Sequence, residues 1–320
     1  MGGIFMRAFV FPGQGSQAVG MGKALAEAFT SARLVFEEVD EALGQKLSKL
    51  MFEGPESDLT LTENAQPALM AVSLAVLRVL ETEGNFRLAD KASFVAGHSL
   101  GEYSALAAAG AFTLADTARL LKLRGQAMQK AVPVGEGAMA ALLNFDLERA
   151  LKVAAQAAEE TKLVCAIAND NDPSQVVVSG ALAAVERAGA LALEAGAKRS
   201  VMLPVSAPFH CPLMQPTADA MAEALGKTHI MMPVVPVIAN VTAQPVSDPA
   251  TIRDLLVAQV TATVRWRESV QTLKTLGVSR VFELGAGKVL SGLVKRIDKE
   301  IESQSVGQPA DIDAALKILS

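Results

Sequence analysis

Cysteine and histidine are scarce in this chain of 320 residues, with two cysteines, Cys165 and Cys211, and three histidines, His98, His210 and His229. Cysteines so far apart make no ligand pair, so no metal site is expected. Cys165 belongs to an apolar stretch, and Cys211 has no acid–base neighbour except His210; both read as packing residues. A basic excess is also missing: the net charge is -5, which gives no reason to expect nucleic acid. No window approaches the roughly 20 apolar residues of a membrane helix, so no membrane is expected. The start, Met1 to Phe11, carries one arginine and runs into a glycine turn. It reads as a first strand rather than a secretory segment, which points to a reducing, cytoplasmic compartment. Internal repeats and low-complexity tracts are lacking too, and nothing demands more than a monomer.

What is present is a globular balance, with 51% hydrophobic and 20% charged residues. Apolar runs at Arg7–Phe11 and Ser93–Gly97 read as buried strands. Helical patterns cover about Met21–Leu43, Asn64–Leu80, Leu100–Ala109 and, behind the N-cap Thr113, a stretch ending near Ala131. Strand–helix alternation of this kind predicts a mostly parallel sheet covered by helices. The texture changes between Pro133 and Pro204. Strand Ala138–Leu143, helix Leu147–Ala158 and strand Leu163–Ala168 are followed by strand Gln175–Ser179, helix Leu182–Ala195 and strand Arg199–Leu203. That βαββαβ order is ferredoxin-like. The expected fold is α/β: a large unit from 1–132 and 204–320, with a small ferredoxin-like unit, 133–203, inserted. The α/β pattern resumes with strands near Val234–Ala239 and Val278–Glu283.

Gly97-His98-Ser99-Leu100-Gly101 is a G-x-S-x-G pentapeptide with a strand before it and a helix after it, the setting of a nucleophile elbow. Ser99 is therefore the candidate nucleophile, beside the positive end of a helix dipole. A serine needs a base. His98 adjoins Ser99 and should leave the turn in another direction, in a packing role, while His229 reads as a surface residue. His210, in the proline-stiffened Ala207-Pro208-Phe209-His210-Cys211-Pro212, is the base by elimination. The loop Phe11–Gln17 meets a loose dinucleotide fingerprint through Gly13, Gly15 and Ala18. The acidic partners that fingerprint needs, Glu37 and Glu38, lie in a predicted helix, so the match is weak. Its better use is to bring a backbone N–H beside the elbow, forming an oxyanion hole with the N–H of Leu100.

Arg124 falls in the middle of an apolar helix face made by Leu120, Leu121, Ala127, Met128 and Ala131. A guanidinium there needs a partner, because desolvation costs several kcal/mol. Either a protein carboxylate meets it or a substrate carboxylate does, and a dicarboxylic acyl group suits a bidentate pair. Neighbouring Gly125 permits a close backbone approach. Lys288, Lys295 and Lys299 read as one helical face within 287–300, and Lys198 and Arg199 as a second small basic cluster. Such runs are usually solvated surface, or they receive an acidic partner.

FPGQGSQ at 11–17, GHSLGEYSAL at 97–106, LRGQAM at 123–128 and APFHCPLM at 207–214 occur in that order. With NVT at 240–242, QVTATVRW at 259–266 and ELGAGKVLSGL at 283–293, they span nearly the whole chain. Together they resemble the malonyl-CoA:acyl-carrier-protein transacylases of fatty acid synthesis, and related acyltransferase domains of polyketide synthases. The resemblance implies Ser99 as nucleophile and His210 as its base. It also implies the backbone carbonyl of Gln259 as the group orienting His210, and the N–H groups of Gln14 and Leu100 as the oxyanion hole. Arg124 would clamp the malonyl carboxylate, with Met128 and Phe209 in the substrate site. In related polyketide domains a Phe just before the histidine goes with unbranched malonyl, as Phe209 does, although Pro208 departs from their usual tetrapeptide. Implied partners are malonyl-CoA and an acidic, phosphopantetheinylated acyl carrier protein, docking on Lys198, Arg199, Lys288, Lys295 and Arg296; no cofactor is implied. Two rivals stand beside this reading. A serine hydrolase would need an acid between Ser99 and His210, where Asp170 and Asp172 lie, and a non-enzymatic carrier-binding scaffold would have no use for Ser99, His210 and Arg124 together.

Overall fold

The computed structural model describes residues 6–320; the reading of residues 1–5 as the lead-in to a strand lies outside them. Among the described residues ten strands form two sheets. In the large sheet β1 (Met6–Phe11) lies between β2 (Phe94–Gly97) and β9 (Val278–Leu284). The order is β10–β9–β1–β2–β7–β8, with β7 at Val237–Ile238, β8 at Pro245–Val246 and β10 at Glu302–Val306. Every neighbour pair is parallel except β7–β8. Alternation along β1 feeds two cores. Phe9 and Phe11 face one set of helices, while Ala8 and Val10 face Trp266, Val270 and Leu273 on the other side. A strand buried on both faces reads as a continuous apolar run, which is why Ala8–Phe11 has no polar position.

The small sheet has the order β4 (Cys165–Asp172), β5 (Gln175–Ala181), β3 (Gly137–Leu143), β6 (Arg199–Met202), all antiparallel. Ala140, Leu142, Val176 and Val178 pack under the helices Leu147–Thr161 and Leu182–Glu194. Met139, Ala141, Ala168 and Val177 on the opposite face join the main core. The α/β class and the ferredoxin-like small sheet match the sequence reading.

Four expectations need correction. The helical pattern Met21–Leu43 is broken at Phe29, whose backbone is extended (φ -131°, ψ 122°), giving helices Lys23–Ala28 and Thr30–Leu43. The strand expected near Val234–Ala239 shrinks to Val237–Ile238, because Pro236 has no N–H to give a ladder. The supposed lysine face in 287–300 is not one face: the helix covers only Val289–Ile297, so Lys288 is its N-cap and Lys299 lies beyond its end. Finally, the helix Thr62–Gly84 is long and apolar enough to span a membrane, with mean hydropathy 1.2 over its best 18-residue window. In the fold, 83% of that window is buried; it is the central helix of the main core, packed by Leu69, Val72 and Val76.

Candidate active site

The chain leaves β2 at Gly97 and turns into the helix Leu100–Ala108, with Ser99 at its N-cap. Ser99 has φ 54° and ψ -112°, a strained conformation of the kind stored at functional sites. The flanking glycines have no alternative. A Cβ on Gly97 would lie 1.9 Å from the Gly101 carbonyl carbon, and one on Gly101 would lie 2.2 Å from the Phe11 carbonyl oxygen. The turn is braced from outside by Asn240. Its Oδ1 accepts from the Ser99 N–H at 2.8 Å and its Nδ2 donates to the Gly97 carbonyl at 2.7 Å.

His210 reaches Ser99 from the irregular segment after β6. The Ser99 hydroxyl and His210 Nε2 are 2.8 Å apart, and His210 Nδ1 lies 2.9 Å from the Gln259 carbonyl. A carbonyl only accepts, so Nδ1 carries the proton and Nε2 offers its lone pair to the hydroxyl. Burial, and then the positive charge of Arg124, push His210 down to about 3. It is a neutral imidazole across the physiological range. His98 is half-buried, with Nε2 donating to Asn171 Oδ1 at 2.9 Å and its ring 5.8 Å from Trp266; it packs as expected. His229 is exposed.

Arg124, on the helix Leu114–Ala131, is 1% exposed. Its NH1 donates to Gln66 Oε1 at 2.9 Å; NH2 donates to Gln259 Oε1 at 2.9 Å and to Ser99 Oγ at 3.2 Å. The buried Nε–H has no acceptor, and no carboxylate forms an ion pair with the guanidinium, among the described residues. Gly125 makes the position attainable, for a Cβ there would sit 2.5 Å from Glu63 Cα. Of the two partners the sequence left open, the protein carboxylate is absent.

A cavity of about 370 Å³ opens over these groups, lined among others by Gln14, Ser99, Leu100, Arg124, Met128, Phe209 and His210. The backbone N–H groups of Gln14 and Leu100 have no acceptor among the described residues. Every site residue expected from the sequence lines this cavity except Gln259, which is fully buried behind it. Asp170 and Asp172, the acids a hydrolase reading would recruit, pair instead with Arg267 at 2.8 Å and Arg296 at 2.6 Å.

The profile of a family described as acyl transferase domain matches residues 8–305. The chain belongs to the acyl transferase family. Among solved structures of this family, the acyl-carrier-protein S-malonyltransferase of Bartonella henselae superposes with a TM-score of 0.95 and 57% identity, covering 98% of this chain and 99% of that one. The malonyl CoA-acyl carrier protein transacylase of Bacillus subtilis (strain 168) is 47% identical, over 98% of this chain and 96% of its own. A type II PKS acyl-carrier protein in complex with its malonyl-transacylase gives a TM-score of 0.94 at 41% identity, covering 98% of this chain and 99% of that one.

Within this acyl transferase, three buried polar residues, Gln66, Glu102 and Asn240, escaped the reading of individual positions, as did the side-chain role of a fourth, Gln259. Gln66 and Glu102 carry no local signal beyond their helices. Asn240 was visible only as the first letter of NVT. The side chain of Gln259 does more than its carbonyl suggested: besides meeting Arg124, its Nε2 donates to Ser99 O at 3.0 Å and to Glu102 Oε2 at 2.7 Å. Burial pushes Glu102 up to about 7, against the hydrogen bonds from Gln259 and Asn240 and the nearby Arg124 charge.

Proposed function

We propose that this protein transfers a malonyl group from coenzyme A to the phosphopantetheine thiol of an acyl carrier protein, through a malonyl ester of Ser99, for fatty acid biosynthesis. The observation that carries the reading is the position of Ser99 Oγ, 2.8 Å from His210 Nε2 and 3.2 Å from an Arg124 that, among the described residues, no carboxylate pairs. In the first half-reaction His210 Nε2 takes the hydroxyl proton as Oγ attacks the thioester carbonyl. The N–H groups of Gln14 and Leu100 hold the developing oxyanion. The C–S bond then breaks, His210 returns its proton to the departing sulfur, and coenzyme A leaves. In the second half-reaction the carrier thiol gives its proton to His210 and its sulfur attacks the ester. The C–O bond breaks and the proton returns to Ser99. The Gln259 carbonyl holds the imidazole in register throughout, in the place an aspartate takes in other serine enzymes.

Arg124 receives the malonyl carboxylate, while Met128 and Phe209 wall the acyl slot. Pairing that carboxylate with Arg124 also removes the repulsion that depresses His210, so malonyl binding strengthens the base that must act on it. The division of the chain into 1–132 with 204–320, and 133–203, puts this site between a parallel and an antiparallel unit. Lys198, Arg199, Lys288, Lys295 and Arg296 are exposed and form the landing surface for an acidic carrier, although Arg296 also serves Asp172. Two free thiols, Cys165 and Cys211, and a thiol acceptor both suit a reducing compartment, the cytoplasm.

Intact-protein mass spectrometry after brief mixing with malonyl-CoA tests the reading. The expected result is a malonyl adduct on Ser99 that a carrier-protein thiol discharges. Steady release of malonate without an adduct would instead make the protein a hydrolase.

A further inference from the structure

We propose that Glu102 is a positioning residue that sets acyl-group selectivity by orienting Arg124 through the side-chain amide of Gln259. The proposal rests on the reading of Arg124 as the carboxylate clamp. Glu102 lies on the helix that follows Ser99 and is 3% exposed. Its Oε2 accepts from Gln259 Nε2 at 2.7 Å and from the Asn240 N–H at 3.1 Å. The amide of Gln259 has one donor end and one acceptor end. With Nε2 drawn to the Glu102 carboxylate and to the Ser99 carbonyl, Oε1 is left facing Arg124 NH2 at 2.9 Å. A flipped amide would set N–H against N–H at Arg124 and C=O against carboxylate at Glu102. The ionised carboxylate, with the shortest of the three contacts to Nε2 ahead of the Ser99 carbonyl and Asn240 Oδ1, therefore weighs most on which way the amide points, and the amide decides where the guanidinium rests.

The interposed amide also does what a direct ion pair would not. A glutamate in contact with Arg124 would occupy the guanidinium fork and compete with a substrate carboxylate. Here the contacts to the fork are all neutral, the amides of Gln66 and Gln259 and the Ser99 hydroxyl, and the Glu102 carboxyl stands one residue behind. The Nε–H of the buried guanidinium stays free for an incoming anion.

The test compares steady-state transfer from malonyl-CoA and acetyl-CoA for the native enzyme, E102A, E102Q, R124A and the double variant E102A/R124A. We expect E102A to lower the malonyl/acetyl ratio of kcat/KM about tenfold or more, mainly through the KM for malonyl-CoA. E102Q, whose carbonyl oxygen accepts the same two bonds, should recover most of that ratio. The double variant should discriminate no worse than R124A alone, because Glu102 acts through Arg124. An unchanged ratio in E102A, with kcat lowered equally for both acyl groups, would reduce Glu102 to a structural brace and overturn the proposal; so would independent, additive losses in the double variant. If R124A itself leaves the ratio untouched, the clamp reading fails first, and the Glu102 proposal with it. Should circular dichroism show E102A unfolded, E102D carries the test: it keeps the carboxyl but draws its oxygen away from Nε2. A native ratio in E102D would overturn the proposal.

Discussion

Replacing Arg124 by methionine removes a buried positive charge from beside His210 while keeping a long, unbranched side chain. NH2 lies 3.2 Å from Ser99 Oγ, which lies 2.8 Å from His210 Nε2, so the charge stands within about 6 Å of the imidazole. At an effective dielectric constant of about 20, two unit charges at that distance repel by roughly 3 kcal/mol, about two pKa units. His210, held at about 3 in the native protein with burial as the larger cause, is therefore expected to titrate clearly higher in Arg124→Met. Nitrogen-detected NMR of the imidazoles reads this directly, with the His210 signals assigned by their loss in His210→Ala. Stability should follow. The native imidazole titrates below its unfolded value of about 6.5, so the unfolded chain binds the proton more readily between the two values. His210 thus costs stability as pH falls from about 6.5 toward 3, and Arg124→Met should lose less over that interval. If the imidazole titrates alike in both proteins, the guanidinium charge does not reach it, and the coupling between malonyl binding and base strength collapses.

Three further outcomes test the frame around the site. Gly101→Ala must push the helix away from β1, because its Cβ meets the Phe11 carbonyl at 2.2 Å; we expect a fall in Tm of several degrees and at least ~100-fold slower acylation of Ser99, and native acylation rates would refute the close-approach argument. Asn240→Ala strips partners from the Ser99 N–H and the Gly97 carbonyl and should cost about 2–4 kcal/mol in urea unfolding, with loss of the acyl-enzyme in the mass-spectrometric assay. Asp170→Ala leaves Arg267 unpaired at a side chain 24% exposed. A loss of about 1–3 kcal/mol is expected in denaturant titration, below the cost of a fully buried pair.

How much was legible in the sequence depended on the range of the interaction. Ser99 was readable because a strained turn between strand and helix leaves glycines at fixed spacing, and Arg124 because a cation interrupts an apolar helix face. His210 followed from the shortage of histidines. The small unit was readable because its apolar strands alternate with amphipathic helices. Contacts across the fold were not. The strand expected to end at Ala168 runs on through Asp172, although Asn169 to Asp172 is as polar as a loop. Its side chains are satisfied by distant partners: Asp170 by Arg267, Asn171 by His98, Asp172 by Arg296. Its backbone is tied to Val264 by the Asp170 N–H, and the Ala168 carbonyl accepts from the Val264 N–H. Strand β10, Glu302–Val306, lacks an apolar run because it is an edge strand beside β9. The contact between Glu102 and the side-chain amide of Gln259 is silent in sequence because its worth lies in an amide held between an acid and a cation.

The place of β1 in the large sheet has a consequence for how the protein comes into being. The first strand is flanked by β2 and by β9, which is made some 270 residues later. The elbow likewise needs Asn240 and Gln259 before Ser99 is braced and His210 is aimed. Contacts this far apart in sequence form late, after the loop-closure cost has been met. A chain growing from its N-terminus carries its reactive serine long before it carries the means to activate it. Acyl thioesters in the surrounding solution therefore meet an inert hydroxyl until most of the polypeptide has been made.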